Sequence, residues 1–166
     1  MIVLGIDPGM ADTGYGVVAV DGSRLRPLGH GVLTTAAGEP AEERLAGLQA
    51  CVAELLEEHR PSSAALEDLF VGSNPRTILS VGQARGAILA ACGAAGVPVA
   101  GYAPAQIKTA VCGYGKADKR QVTRMVTAIL GIAGPAPSNH AADALAAAVC
   151  HAQMSRTARL REGVAG

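Results

Sequence analysis

The chain has 166 residues, nearly half of them hydrophobic, with 14 basic and 14 acidic side chains and a formal net charge of zero. That is enough chain for one domain with a sizeable core, and too apolar for a disordered tail. No membrane span or signal peptide is expected, because stretches such as GAILAACGAAGVPVAG are broken by Gly and Pro and MIVLGID has no basic n-region.

IVLGID reads as a central strand, apolar on both faces, that runs straight into Asp7. A buried ionised carboxylate is costly unless something pairs with it, so the rest of the chain has to supply a partner. DTGYGVVAV follows a Gly-rich bend as a second strand, and LRPLGHGVLTT follows the DGS turn as a third, giving an antiparallel meander. In PAEERLAGLQACVAELLEEHR, the residues Leu45, Leu48, Val52, Leu55 and Leu56 recur at helical spacing with acids opposite, and Pro61 ends the helix. SSAALEDL is a short strand, FVGSNPR a loop and TILSVGQARGAILAACGAAG (77–96) a helix of mostly small residues. VPVAGYA is a fifth strand. PAQIKTAVCG, KADKRQVTRMVTAIL and SNHAADALAAAVCHAQ are three further helices, and residues from about 156 to 166 are expected as a flexible basic tail of this single 1–166 domain. A meander followed by alternating helix and strand predicts an α/β, ribonuclease H-like fold: a mixed five-stranded sheet with helices on both faces.

In that topology the first and fourth strands lie side by side, so Asp7 and Glu67 emerge together at one edge of the sheet. His140 and Asp143 stand at i and i+3 on one face at the start of the last helix, which Ser138 or Asn139 can cap. Three acids and an imidazole in one place repel unless a cation sits among them, and hard oxygen ligands suit Mg²⁺ or Mn²⁺. Each residue alone has a blander reading, as a turn former, a cap-region acid or a solvated loop. Charge is also divided along the chain. Asp and Glu outnumber Lys and Arg by eleven to four in residues 1–69 and are outnumbered three to ten in 70–166, which raises the prior for a polyanionic partner unless the halves cancel in space. The four scattered cysteines (Cys51, Cys92, Cys112, Cys150) form no CxxC pair, as expected for reduced thiols in a cytoplasmic protein.

GIDPGMADTGYGVV, ALEDLF, GQARG and HAADALAAAVCHA together resemble the RuvC family of Holliday-junction resolvases, in order and spacing, over nearly the whole chain. The resemblance places the family's four metal-site positions on Asp7, Glu67, His140 and Asp143; the third is often Asp in the family and is His here. It places a base-stacking aromatic at Phe70 and basic residues beside the scissile phosphate at Lys108 and Lys119. It implies a metal-dependent endodeoxyribonuclease that resolves four-way DNA junctions by paired nicks, leaving 5′-phosphate and 3′-hydroxyl ends, in recombination and repair. A two-metal route, with ions roughly 3.5–4 Å apart, is the expected chemistry. Because imidazole suits later transition metals better than carboxylate does, Mn²⁺ is expected to support faster cleavage than Mg²⁺. Arg76, Lys116, Arg120 and Arg124 are expected to hold the DNA backbone. A two-fold symmetric junction calls for a C2 homodimer, for which the 77–96 helix offers Ile78, Val81, Ile88, Gly82, Ala84 and Ala87. The family also implies a branch-migration complex of RuvA and RuvB type as partner.

Two other readings stand beside this one. GIDPGMADTGYG resembles the phosphate-binding turn of actin-like and sugar-kinase ATPases, but those need two such domains and a second phosphate turn, which the chain lacks. A non-catalytic junction-binding module predicts structure-specific binding without cleavage. A proofreading-type exonuclease is set aside, since Pro8 and Gly9, rather than x-Glu, follow Asp7.

Overall fold

The computed structural model describes residues 1–68 and 75–164. Phe70 lies outside them. The strands are β1 (Ile2–Asp7), β2 (Asp12–Asp21), β3 (Arg24–Thr34), β4 (Ser63–Glu67) and β5 (Val99–Tyr102). The helices are α1 (Ala41–His59), α2 (Pro75–Ala94), α3 (Pro104–Cys112), α4 (Lys119–Leu130) and α5 (Asn139–Val164). All five strands form one sheet in the order β3-β2-β1-β4-β5, antiparallel through β3-β2-β1 and parallel through β1-β4-β5. The expected mixed sheet is therefore present, with β1 and β4 adjacent. Residues from about 156, expected as a tail, instead continue α5 as far as Val164.

Alternation along β1 divides the core. Leu4 and Ile6 pack with Leu48, Val52 and Leu56 of α1 and with Ala84, Ile88 and Cys92 of α2. Val3 faces the other side, with Ile107 of α3, Val122 and Val126 of α4 and the Ala146–Cys150 run of α5. The α5 segment from Ala144 to Cys150 is buried throughout, because the sheet covers one side and α3 and α4 the other. Small residues let the helix sit this deep. A methyl group at Gly5 would overlap the Ala144 carbonyl oxygen, and one at Gly14 would overlap the His140 carbonyl oxygen. Missing β-carbons on β1 and β2 thus set the distance from the sheet to α5, and with it the reach of His140 and Asp143.

The C-terminal end of α1 and the start of α5 follow local chemistry. Arg60 closes α1 in the left-handed conformation (φ 46°) just before Pro61, and Ser138 Oγ accepts the Ala141 N–H at 3.4 Å at the start of α5. The outward faces of α2 differ from the expectation. Ala84 and Ile88, offered as interface residues, are fully buried against the sheet and α1, and the exposed apolar stripe runs instead through Leu79, Gly86, Leu89 and Gly93. By length and composition alone α2 is apolar enough to cross a membrane; its inner face, with Ala84, Ile88, Ala91 and Cys92, belongs to the core.

Candidate active site

β1 and β4 are parallel neighbours in register through Ile6–Leu66, so Asp7 and Glu67 leave the sheet side by side at the same edge. The bend after Asp7 is closed by Thr13, whose Oγ1 donates to the Gly9 carbonyl at 2.7 Å, and it is tied to α1 by Arg44 Nη2 donating to the Met10 carbonyl at 3.0 Å. α5 crosses over this edge and contributes His140 and Asp143. His140 Nδ1 lies 2.8 Å from Asp7 Oδ2, and Lys119 Nζ at the start of α4 lies 3.2 Å from Asp143 Oδ2. Lys119 is placed by its neighbour Asp118, the N-cap of α4, which accepts the Gln121 N–H at 2.9 Å while Gln121 Oε1 accepts the Asp118 N–H.

Electrostatics show how closely these groups feel one another. Burial, and after it the Asp7 and Asp143 carboxylates, push Glu67 from 4.5 up to about 7, against the pull of Lys119 and Lys108. Asp7 is raised by burial as well, opposed first by its hydrogen bond with His140. Lys119 is raised, chiefly by Asp143. The fold thus gathers Asp7, Glu67, His140, Asp143 and Lys119, with Lys108 in range of Glu67. They are arranged as an Asp7–His140 pair, an Asp143–Lys119 pair and Glu67 beside them. Among the described residues, no three His, Cys, Asp or Glu side chains already stand close enough to hold a metal ion. The other basic residues lie outside this cluster: Lys116, Arg120 and Arg124 are exposed on α4 and the loop before it, and Arg76 is exposed at the start of α2.

The family model described as Crossover junction endodeoxyribonuclease RuvC matches residues 3–151. The chain belongs to the RuvC family. A crossover junction endodeoxyribonuclease RuvC from Rubrobacter xylanophilus is 50% identical over 151 residues, spanning 91% of this chain and 84% of the relative. The RuvC of Moorella thermoacetica is 46% identical over 166 residues, spanning 100% of this chain and 99% of the relative. The structure of Thermus thermophilus RuvC in complex with Holliday junction substrate matches with a TM-score of 0.89 at 44% identity, covering 95% of this chain and 96% of that one.

Arg85, in the GQARG segment of this RuvC-family chain, also contacts the end of β4 directly, a contact that its sequence alone does not assign. A signal was present: Arg85 is the only charged side chain between Thr77 and Gly96. A lone charge in an apolar helix needs a partner.

Proposed function

We propose that this chain, as a homodimer, resolves four-way DNA junctions by symmetric paired hydrolysis of phosphodiester bonds, leaving 5′-phosphate and 3′-hydroxyl ends, in cytoplasmic recombination and repair. The observation that carries the reading is the parallel β1–β4 edge crossed by α5. It sets three carboxylates and an imidazole close enough that two of the carboxylates raise the proton affinity of the third, in a chain of the RuvC family.

The donor set fits a divalent cation. Asp7, Glu67 and Asp143 supply hard oxygens whose mutual repulsion a cation relieves, and His140 adds one nitrogen, so Mg²⁺ or Mn²⁺ is the expected cofactor. When bound, divalent cations polarise the phosphate and make a bound water more acidic. In the tautomer that donates from Nδ1 to Asp7, His140 keeps the Nε2 lone pair for a cation or for a proton from the attacking water. Lys119, tethered by Asp143 yet 69% exposed, presents its ammonium to a phosphate and opposes the charge that grows in the transition state. Lys108 acts on the same side. Lys116, Arg120, Arg124 and Arg76 hold the backbone of the arms, and Phe70 stacks on a base at the crossover. The outward stripe of α2, with Leu79 66% and Leu89 40% exposed, is the face that a second copy covers. A branch-migration complex of RuvA and RuvB type is the partner assembly.

The test is incubation with a mobile four-way junction and Mg²⁺ or Mn²⁺. Symmetrically nicked duplexes that DNA ligase seals are the expected product, and Asp7→Asn should bind the junction as wild type does while its cleavage falls by several orders of magnitude. Junction binding by the wild type without any nicking would favour a non-catalytic binding module. Near wild-type cutting by Asp7→Asn would remove Asp7 from the chemistry.

A further inference from the structure

The β1–β4 ladder ends at Ile6–Leu66. One residue further on, Arg85 takes hold of β4 from the side of α2. Its Nη1 donates to the Glu67 carbonyl at 2.8 Å and its Nη2 to Asp68 Oδ1 at 3.0 Å. The Arg85 side chain is only 19% exposed whereas Asp68 is 50% exposed, so the bond to the Glu67 carbonyl is the better shielded of the two. β5 seats Asp68 from the other side. The Asp68 N–H donates to the Tyr102 carbonyl at 2.9 Å, and its carboxylate fills the space over Gly101, where any β-carbon would overlap Oδ1. Three consecutive elements, β4, α2 and β5, therefore meet on the peptide unit that follows Glu67.

We propose that Arg85 is a positioning residue for the Glu67 carboxylate. By clamping the Glu67 carbonyl and Asp68 together, it sets the backbone torsions from which the Glu67 side chain extends toward Asp7 and Asp143. The role needs a planar fork that reaches two acceptors at once, which a lysine ammonium on its flexible stem does not reproduce. The inference deepens the proposed function and rests on Glu67 acting in strand cleavage.

Arg85→Lys, Arg85→Gln and Asp68→Asn are compared with wild type in three measurements. These are single-turnover cleavage of a four-way junction, junction affinity in Ca²⁺, and Mn²⁺ binding by the DNA-free protein, followed by electron paramagnetic resonance of free Mn²⁺. Misplacing one reacting group costs on the order of tenfold to a hundredfold in rate. Both Arg85 variants should lose that much in cleavage per folded molecule and bind Mn²⁺ more weakly, with junction affinity within about threefold of wild type. Asp68→Asn leaves the Glu67 carbonyl contact in place and should lose less than Arg85→Lys. A purely structural role would lower the melting temperature and the folded fraction while leaving the rate per folded molecule and the Mn²⁺ affinity unchanged, and that result overturns the proposal. If Arg85→Gln does not fold, Arg85→Lys and Asp68→Asn decide by the same criteria. Should wild type bind junctions but never cut them, the proposed function fails, and the Mn²⁺ titration still decides the place of Arg85.

Discussion

Asp7 and His140 touch through Oδ2 and Nδ1, and that contact makes the role of His140 measurable. If Nε2 binds the cation, an imidazole in place of a carboxylate removes one negative charge and favours Mn²⁺ over Mg²⁺. His140→Asp should then narrow the Mn²⁺:Mg²⁺ ratio of cleavage rates. If the ring instead takes a proton from water, the ratio stays as in wild type. Glu67 allows a second measurement, with no DNA and with chelator present. Its pKa is raised on folding from 4.5 to about 7, so the folded chain holds this proton where the unfolded chain releases it. Stability is thus unaffected by this group below about pH 4.5, falls as pH rises toward 7, and stays reduced above that. Glu67 is partly solvated and shares its repulsion with two neighbours, so the penalty is screened to about 1 kcal/mol. Glu67→Gln in chelator should therefore melt about 2–4 °C above wild type at pH 8 and level with it at pH 4.

At the scale of elements, the decisive packing is α5 on β1 and β2. Gly5 faces the Ala144 carbonyl with no room for a methyl group, and a backbone oxygen cannot rotate aside as a side-chain end can. Gly5→Ala should therefore sit at the upper end of overpacking costs, about 3 kcal/mol, and lower the melting temperature by roughly 10 °C. Gly47, inside α1, faces open space and takes an ordinary helical conformation. Gly47→Ala should stabilise by about 0.5–1 kcal/mol, because alanine loses less backbone entropy in a helix. Thermal melts of the two variants should move in opposite directions. Equal shifts would show that α5 yields at Gly5, and that its depth is not set there.

Across the whole molecule, part of the charge division along the chain survives in space. The acids of α1, among them Glu42, Glu43, Glu54, Glu57 and Glu58, lie on one face of the sheet; Lys116, Lys119, Arg120 and Arg124 lie on the other, with the carboxylate cluster at the sheet edge. On the proposed reading, these basic residues would steer a polyanion to the α4 side. The α2 stripe lies on the α1 side. Leu79→Glu with Leu89→Glu should give a monomer by light scattering, because charges on both copies would face each other across a C2 contact. That monomer should nick junctions singly and no longer in ligatable symmetric pairs. A dimer that survives the double substitution would move the contact to another face.

The order of elements was legible because each depends on near neighbours: a short continuous apolar run in Ile2–Asp7, period-3.6 leucines in Ala41–His59, and a glycine or proline where each stops. Asp7 and Glu67 at strand ends were legible for the same reason, once β1 and β4 were taken as neighbours. What the chain alone left open are contacts between residues far apart. Asp7 and His140 are separated by 133 positions, and only the packing of α5 into the glycine surface of β1 and β2 brings Nδ1 to Oδ2. The sides of α2 were equally hidden, since a helix of mostly small residues carries little periodic signal. Contact with α1 and the sheet decided that Ile88 points inward and Leu79 outward. The extension of α5 past residue 156 follows the helix propensity of its Arg, Ala, Leu and Glu residues, a local signal outweighed in the sequence reading by its terminal, basic character. Arg85 belongs to the same class: its sequence marks it as a charge in need of a partner, and only the meeting of β4, β5 and α2 says that the partner stands beside Glu67.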